Sequence, residues 1–372
     1  MGFYQFTDRS VGLLFAWIFF NHKQETSCMT KALKHSLIAA TVIAAAAAAH
    51  AETITLKVHH FLGPQSIQHT TMLGDWCKNI EKDSSGRLNC QIYPAMQLGG
   101  SPPQLFDQAK DGIADVVWTV AGYSGTRFSR IQVFELPFMM TNAAATSRAA
   151  WDYAQKYAQE EFKDVKMLAV HVHGPGNIFT RDKPVTSLAD FKGMKLRAPT
   201  RLTGQMLAML GATPVGMPVP AVTEALSKGV IDGCIIPYEV APSLKVQELT
   251  KFTAETDRGY KALYTTVFIV PMNKKRYDSL PKDLQAVIDK NSGREFSAFL
   301  GATQAGNDAV GEKIFNSTPG MTINKIAGSE LANWERALDT LDASWVIDMN
   351  KRGFNGQELI GAARDLISKY TK

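Results

Sequence analysis

The stretch KMLAVHVHGPG, residues 166–176, decides how the chain is organised. Lys166 to Val172 is predicted as a strand, and the Gly-Pro-Gly at 174–176 breaks the pattern before a second series of strands and helices begins. A break between two similar series predicts two lobes joined by crossing strands. We expect one hinge near Val172 to Gly176 and the return hinge near Ala262 to Thr266.

Strand and helix signals alternate on both sides of this break, which is the pattern of α/β domains built on mostly parallel sheets. Before the break, strands are predicted at Thr53 to His59, Arg87 to Tyr93 and Asp115 to Val120, with helices at Gln68 to Lys82, Pro102 to Lys110 and about Ala143 to Gln159. After it, strands are predicted at Met194 to Arg197, Thr213 to Val215, Gly233 to Ile236 and Tyr260 to Val270, and the pattern is helical beyond Pro281. The predicted fold class is therefore α/β, with two lobes.

A short internal echo supports two similar lobes. KDGIAD at 110–115 and SKGVID at 227–232 each place a Gly just after an amphipathic helix and an acid just before an apolar strand. Gly112 and Gly229 fit helix C-caps because Gly adopts a positive φ without a Cβ penalty. We expect the chain to divide into an upstream extension and signal at 1-51, lobe I at 52-173 plus 265-300, and lobe II at 174-264 plus 301-372.

The composition is that of a globular chain with a substantial core, since 45% of the 372 residues are hydrophobic and 20% are charged. The formal charge of +5 is spread along the chain and forms no basic stripe of the kind that binds a phosphate backbone. We therefore expect no nucleic-acid partner.

The first residues have the organisation of an export signal. Two lysines precede an apolar run from Leu37 to Ala49, and Ala49-His50-Ala51 is a small-x-small cleavage site. The sequence predicts cleavage before Glu52 and release into the periplasm, with the residues upstream of Met29 as an over-extended start. The alternative is an uncleaved anchor formed from this run and the shorter one at Val11 to Phe20.

Three cysteines lie beyond the predicted cleavage point. Cys77 falls in a predicted helix and Cys90 in the strand that follows, so an oxidising compartment could join them in a disulfide bond. Two buried thiols are the alternative. Cys234, in an apolar strand, is predicted to be a buried thiol.

Several motifs resemble, in order and spacing, the DctP-type solute-binding proteins of TRAP (tripartite ATP-independent periplasmic) transporters. They are IYP and QLG within 92–99, ELPF at 135–138, FKGMKLR at 191–197, GATP at 211–214 and ALSKGVIDG at 225–233. The resemblance extends over roughly Thr53 to Lys369. It implies a periplasmic-binding-protein-like clamp with a ligand cleft between the lobes, a long C-terminal helix spanning both, and delivery of the ligand to membrane permease subunits.

The resemblance also implies that Arg197, in the Gly-x-Lys-x-Arg motif, binds the carboxylate of the ligand. A guanidinium pairs with a carboxylate through two parallel hydrogen bonds, and a residue at the end of a short strand lies where α/β sheets bind ligands. A surface ion pair is the alternative for Arg197. Many family members for dicarboxylates or sialic acid carry a second basic residue where this chain has Gly176-Asn177-Ile178, which favours a monocarboxylate here.

Five further residues fall where the cleft is expected. Phe61 and Trp118 come at strand ends and could supply the apolar walls that a carbon skeleton needs, although aromatic residues at such positions are commonly core. Tyr238 and Glu239 follow the strand that ends at Ile236-Pro237; the first could donate to a carboxylate or hydroxyl, and the second could accept from a ligand hydroxyl or help to hold a cation. His173, at the hinge, could donate one hydrogen bond to an anion as a neutral imidazole.

These features predict the solute-binding protein of a transporter, specific for a small organic acid: a hydroxy or keto acid with an apolar or aromatic tail. The sequence has no phosphate-cradling Gly-rich loop, no Gly-x-Ser-x-Gly elbow and no metal-binding pattern, so we expect no enzyme, no cofactor and no metal. Two alternatives stay open: a ligand-sensing protein that docks on a receptor, and a periplasmic enzyme on the same scaffold. We expect a monomer.

Overall fold

The computed structural model describes residues 53–257, 259 and 261–371. The upstream extension and export signal expected in 1-51 lie outside the described residues. Within the described part of the chain, no helix combines the length and the apolar composition that a membrane span requires.

The strands form two sheets, each six-stranded. In chain order they are β1 Ile54–His59, β2 Leu88–Tyr93, β3 Val116–Val117, β4 Thr119–Val120, β5 Val165–Val172, β6 Gly176–Thr180, β7 Lys195–Ala198, β8 Thr213–Gly216, β9 Gly233–Pro237, β10 Phe252–Thr256, β11 Val267–Asn273 and β12 Thr322–Ile326. The first sheet has the order β2-β1-β3-β11-β4, with β5 paired to β11, and the second has the order β12-β10-β6-β9-β7-β8. The two-lobed α/β fold is therefore confirmed, with one sheet in each lobe.

The chain crosses between the sheets at the two places where the sequence predicts hinges. β5 ends at Val172 and β6 begins at Gly176 in the other sheet, while β10 ends at Thr256 and β11 begins at Val267 back in the first. β5 runs toward the crossing and β11 away from it, so β11 is antiparallel to β3, β4 and β5. β6 is antiparallel to β9 and β10 for the same reason. The sheets are mixed rather than mostly parallel, because strands that carry the chain between the lobes enter in the reverse direction.

The helices, in chain order, are α1 Gly74–Asp83, α2 Leu105–Asp111, α3 Ala143–Tyr157, α4 Arg201–Met209, α5 Val222–Ser227, α6 Val246–Leu249, α7 Lys274–Ser279, α8 Lys282–Lys290, α9 Arg294–Ser317, α10 Gly328–Lys351 and α11 Gly356–Thr371. A π-helical turn, Gln68–Leu73, runs directly into α1. Short 3-10 helices lie at Pro102–Gln104, Ala121–Ser124, Ile131–Glu135, Gln159–Phe162, Leu188–Phe191, Val219–Ala221 and Ala241–Leu244.

Helix α9 is the long helix that spans both lobes. Near its start, a Cβ at Gly301 would lie 2.3 Å from Ser147 Oγ, on the side of the first sheet. Nearly three turns later, a Cβ at Gly311 would lie 2.1 Å from the carbonyl oxygen of Tyr238, which follows β9 of the second sheet. Because neither approach leaves room for a side chain, the two glycines let one helix pack against both lobes. Helix α11, which ends the described chain, packs on α3.

Local sequence signals account for the ends of several helices. Asn142 Oδ1 accepts a hydrogen bond from the backbone N–H of Ala145 and so caps α3. Gly112 ends α2 with a φ of 83°, and Gly229 lies just beyond α5 with a φ of 67°. The positive φ predicted at both positions of the internal echo is confirmed.

Two predicted strands are shorter than expected. The run Asp115 to Val120 is divided at Trp118 into β3 and β4, because β1 ends at His59 and β4 has only β11 beside it. The run Tyr260 to Val270 enters a sheet only at Val267. Its earlier apolar residues, from Ala262 to Tyr264, are buried in the crossing segment, so their composition reflects burial and not strand pairing.

The structure joins Cys77 of α1 to Cys90 of β2 in a disulfide bond. Of the two alternatives that the sequence left open for this pair, the disulfide is therefore the one present. Cys234, in β9, is a buried free thiol, as predicted. The bond ties the first helix of lobe I to the edge strand of its sheet.

We expect the disulfide to stabilise lobe I by closing a loop with a sequence separation of 13 residues. On the chain-entropy model such a loop is worth about 3 kcal/mol. The free energy of unfolding, measured by urea denaturation with and without reductant, should fall by about this amount on reduction. The double variant Cys77→Ser/Cys90→Ser should be insensitive to reductant. Three titratable thiols in unfolded, non-reduced protein starting at Glu52, instead of Cys234 alone, would contradict the pairing.

Candidate functional site

A small cavity of about 40 Å³ lies between the two lobes. It is lined by side chains from both sheets, from the crossing segments and from α9: Phe61, Gln68, Trp118, Tyr123, His173, Arg197, Glu239, Tyr264, Thr266, Phe268 and Gln304 among others. Strands that run toward the crossing, such as β7 and β9, end at this cavity. Five of the six residues expected in the cleft line it; the sixth, Tyr238, does not.

Arg197 lies in β7, beside Cys234 of β9, and is 1% exposed. Its Nε donates to the carbonyl oxygen of Met217 at 3.0 Å, Nη1 donates to that of Ile235 at 3.0 Å, and Nη2 donates to the hydroxyl of Tyr123 at 3.4 Å. A guanidinium has five N–H donors, so one N–H remains on each Nη. Two such donors at the end of a guanidinium match a carboxylate taken through two parallel hydrogen bonds.

The charge of Arg197 has no acidic partner within the part of the chain that the structure describes. None of the ion pairs formed by the described residues includes Arg197, and the groups it does contact are two carbonyls and a phenol. The alternative of a surface ion pair is therefore excluded. A buried charge without a counter-charge is costly, so this arrangement favours an anion in the cavity.

Two tyrosines that the sequence analysis did not select lie beside this guanidinium. The hydroxyl oxygen of Tyr123 accepts from Arg197 and, at 2.9 Å, from the backbone N–H of Val219, which leaves its own proton to donate elsewhere. Tyr264 also lines the cavity, and its buried hydroxyl has no hydrogen-bond partner in the described part of the chain. Burial raises the pKa of Tyr264, while the positive charge of Arg197 opposes that rise. Both phenols are therefore protonated donors near neutral pH.

The Gly-Pro-Gly break is the sequence feature that points to an aromatic neighbour such as Tyr264. A Cβ at Gly176 would lie 2.0 Å from the ring of Tyr264, so only Gly leaves room for this aromatic ring at the crossing. The sequence marks the break but not its neighbour, since the two residues are far apart in the chain.

Aromatic rings form an apolar wall of the cavity. The ring of Trp118 stacks on Phe268 with centroids 4.6 Å apart and planes 14° apart, and Phe61 packs on Trp118 at 5.0 Å. The indole Nε1 of Trp118 donates to Nε2 of His171 at 2.9 Å, which fixes the orientation of the ring. Burial lowers the pKa of His171 to about 3, so this imidazole is a neutral acceptor. The wall suits a flat apolar group.

His173 lines the cavity but has no donor to spare. Its Nδ1 lies 2.5 Å from the carbonyl oxygen of Gly174, and its Nε2 lies 3.0 Å from the hydroxyl of Thr266. Because a carbonyl only accepts, Nδ1 carries the proton and Nε2 accepts from Thr266. Burial lowers the pKa of His173 to about 4, so the ring is neutral. The hydrogen bond to an anion expected from this imidazole is not formed in this arrangement, since both ring nitrogens hold the crossing segments together.

Glu239 and Tyr238 point to different environments. Glu239 lines the cavity, where its carboxylate accepts from Nε2 of Gln68 at 2.6 Å and from Nε2 of Gln304 at 3.4 Å. Burial raises the pKa of Glu239 to about 7, against the effect of these hydrogen bonds. Tyr238 instead donates to Glu255 at 3.2 Å and packs on Phe315 of α9. The neighbouring residues face opposite ways after β9, so only Glu239 reaches the cavity.

A larger recess of about 560 Å³ opens at the surface beside α10 and α11. Its lining includes the acidic residues Glu335, Asp339, Asp342 and Asp365. This negative lining disfavours an anion, so the cavity between the lobes is the better candidate site. Among the residues that the structure describes, no group of three or more His, Cys, Asp or Glu side chains is placed to hold a metal ion.

Comparison with known proteins finds one matching family and several similar proteins, some of them solved with a bound ligand. The model of the family "bacterial extracellular solute-binding protein, family 7" (DctP) matches residues 58–346. A TRAP solute-binding protein from Rhodoferax ferrireducens T118, solved with copurified benzoate, is 51% identical, with a TM-score of 0.84 and coverage of 86% of this chain and 99% of that chain. A marine metagenome TRAP solute-binding protein specific for aromatic acids, solved with 3-hydroxybenzoate, is 45% identical, with a TM-score of 0.84 and coverage of 86% and 100%. The C4-dicarboxylate-binding periplasmic protein DctP of Rhodobacter capsulatus is 25% identical over 317 residues, which cover 83% of this chain and 92% of that protein.

Because the pKa of Glu239 is raised, we expect the ionised Glu239 to lower the free energy of unfolding of the ligand-free protein, to an extent that depends on pH. With a pKa of about 7 in the folded protein and an ordinary value of 4.5, the folded state binds more protons than the unfolded chain between these values. The free energy of unfolding of the wild type relative to Glu239→Gln should therefore fall as pH rises through this range, by on the order of 2 to 3 kcal/mol. Urea denaturation of both proteins measures this difference, and the comparison cancels the titration of the buried histidines. A difference that stays constant with pH would contradict the assignment.

Proposed function

Because this chain belongs to the bacterial extracellular solute-binding proteins of family 7, the DctP family, we propose that it binds a small aromatic monocarboxylate between its lobes and delivers it to the membrane permease of a TRAP transporter. The observation that carries this proposal is the buried guanidinium of Arg197, which has no acidic partner among the described residues and retains donors for a carboxylate.

The number of cationic side chains that line the cavity favours a ligand with a single carboxylate. Arg197 is the only Lys or Arg among the described residues that line it. A second carboxylate would have to be buried without a counter-charge, at a cost of several kcal/mol. The segment Gly176-Asn177-Ile178, near which many family members for dicarboxylates or sialic acid carry a second basic residue, supports the same conclusion.

The aromatic wall favours a ligand with a flat apolar body. The rings of Phe61, Trp118 and Phe268 pack on one another, and offset or stacked contacts with a further ring add to the burial of its apolar surface. Two relatives of 51% and 45% identity were solved with benzoate and 3-hydroxybenzoate.

The lining of the cavity by both lobes supports capture by closure. Arg197 belongs to the second sheet, whereas Trp118 and Phe268 belong to the first or flank its strands. A ligand held by all three makes contacts in the closed form that an open form lacks, and only such differential contacts shift the equilibrium toward closure. We propose that the crossing segments near Val172 to Gly176 and near Ala262 to Thr266 act as the hinges.

The remaining parts of the proposal rest on the family. Two solved relatives are named as TRAP solute-binding proteins, and several curated relatives are named as periplasmic binding proteins. We propose binding without turnover, a monomer, transfer of the ligand to permease subunits, and export through a signal peptide that is cleaved before Glu52.

Removal of the Arg197 guanidinium tests the carboxylate assignment. Truncating one partner of a buried, hydrogen-bonded charge pair costs on the order of 2 to 5 kcal/mol, or about thirtyfold to several thousandfold in affinity. Arg197→Ala should therefore nearly abolish the binding of benzoate in titration calorimetry. Arg197→Lys should have a much lower affinity for benzoate than the wild type, because an ammonium keeps the positive charge but cannot form the two parallel hydrogen bonds of a guanidinium.

The matched control is Arg87→Ala, which removes a partly exposed Arg paired with Asp283 at the surface. It should bind benzoate like the wild type, since such surface pairs contribute little. Binding by Arg197→Ala within about threefold of the wild type would overturn the carboxylate assignment.

Export is tested on the secreted protein. A signal of charged, apolar and small-x-small regions is recognised through its small residues at the cleavage site, so N-terminal sequencing of the periplasmic species should begin at Glu52. Replacement of both Ala49 and Ala51 by Leu should leave the precursor unprocessed. A mature chain that begins at Met1 or Met29 would contradict the proposal.

A further inference from the structure

A cluster of three buried amide and carboxyl side chains lies in the cavity and takes no part in the binding of a carboxylate by Arg197. Gln68 comes from the π-helical turn before α1, Glu239 from the residues after β9, and Gln304 from α9. Their exposed fractions are 1%, 6% and 1%. Both lobes and the helix that spans them therefore contribute to this cluster, here called the amide–carboxyl cluster.

The hydrogen bonds of the cluster leave acceptors unused. Gln68 Nε2 donates to Glu239 Oε1 at 2.6 Å, and Gln304 Nε2 donates to Glu239 Oε2 at 3.4 Å. These contacts orient both amides with the N–H groups toward the carboxylate. The opposite atoms, Gln68 Oε1 and Gln304 Oε1, are buried and have no hydrogen-bond partner among the residues that the structure describes. A buried acceptor without a partner costs on the order of 1 to 3 kcal/mol, so two of them in one cavity point to a missing donor.

The cluster is separate from the carboxylate end of the site. Within the described part of the chain, no ion pair joins Glu239 to Arg197. Burial raises the pKa of Glu239 and the hydrogen bonds from Gln68 and Gln304 lower it, with no contribution from Arg197. Glu239 would repel a carboxylate placed beside it. A ligand whose carboxylate is at Arg197 therefore presents another of its groups to the cluster.

The unpaired atoms are all acceptors, so the complementary ligand group is a donor. A hydroxyl supplies one O–H and carries no charge. An ammonium is also a donor, but its burial beside the aromatic wall adds the desolvation cost of a second ligand charge. The cluster thus fits a neutral hydroxyl better than an ammonium.

We propose that Gln68, Glu239 and Gln304 form a subsite for a ligand hydroxyl, which makes the protein selective for hydroxylated aromatic acids over their unsubstituted parents. This inference rests on the proposed function, because it takes the carboxylate to be held by Arg197. The hydroxyl donates its one proton to an acceptor of the cluster, either the Glu239 carboxylate or one of the amide oxygens, and an acid that lacks the hydroxyl supplies no such donor.

Titration calorimetry with matched acids tests the subsite. The ligands are benzoate, the three hydroxybenzoate isomers and their fluorobenzoate counterparts, since fluorine is close to a hydroxyl in size but has no proton to donate. We expect at least one hydroxybenzoate to bind about tenfold to a hundredfold more tightly than both benzoate and its fluoro counterpart. Phenylalanine, which offers an ammonium, should bind more weakly than that isomer.

The variant Glu239→Gln should lower this ratio severalfold, because a neutral amide oxygen accepts a weaker hydrogen bond than a carboxylate does. The control Glu161→Gln makes the same change at a buried Glu that pairs with Arg130 outside the cavity, and should keep the ratio. If Glu239→Gln does not fold, Gln304→Met, which removes one amide oxygen at similar size, should lower the ratio.

The outcomes separate this inference from the proposed function. If no aromatic acid binds the wild type, the proposed function fails. If benzoate binds and every hydroxybenzoate binds equally well, or if Glu239→Gln keeps the ratio, the hydroxyl subsite alone is overturned. Tighter binding of phenylalanine than of any hydroxybenzoate would overturn it as well, in favour of an ammonium subsite.

Discussion

The guanidinium of Arg197 is buried without a carboxylate partner among the described residues, and the rest of the site depends on this constraint. Two backbone carbonyls and the hydroxyl of Tyr123 hold Arg197 and satisfy part of its donors, but none of them neutralises its charge. Removing a charge from water costs several kcal/mol unless a counter-charge replaces the water. The closed cavity is therefore favourable only with an anion inside. Closure and binding become one event, since Arg197 lies on one lobe and Tyr123 on the other.

The directions of the strands explain why the two lobes meet at this residue. β7 and β9 run toward the crossing and end there, and β6 and β11 carry the chain away from it. Glu135, in the ELPF segment, reinforces this meeting point, because its carboxylate accepts from Thr200 Oγ1 at 2.7 Å and from the backbone N–H of Val267 at 3.1 Å. It thereby connects the start of α4, just after Arg197, to the start of β11. Burial raises the pKa of Glu135 to about 7.

The sequence predicted the parts of the site that follow from strand ends and motifs. Arg197, Phe61 and Trp118 each come at the end of a predicted strand, and the Gly-Pro-Gly break located the crossing. Gln68, Tyr264 and Gln304 were missed, since each reaches the cavity from a segment whose local pattern reports only burial or helix periodicity. Tyr238 was assigned to the cavity although only Glu239 reaches it. The chain after β9 no longer has the alternating side-chain directions of a strand, so the sequence pattern does not show which of the two neighbours faces the cavity. The mixed sheets were missed for a related reason: strand direction depends on the crossings, which a local pattern does not record.

The central claim is that the charge of Arg197 requires a negative charge on the ligand. Its most direct test is titration calorimetry of the wild type with benzoate and with benzamide, which have nearly the same shape and the same ring but differ in charge. Benzamide should bind at least about a hundredfold more weakly than benzoate, because it brings no counter-charge into the closed cavity. Benzamide affinity within about threefold of that of benzoate would contradict it.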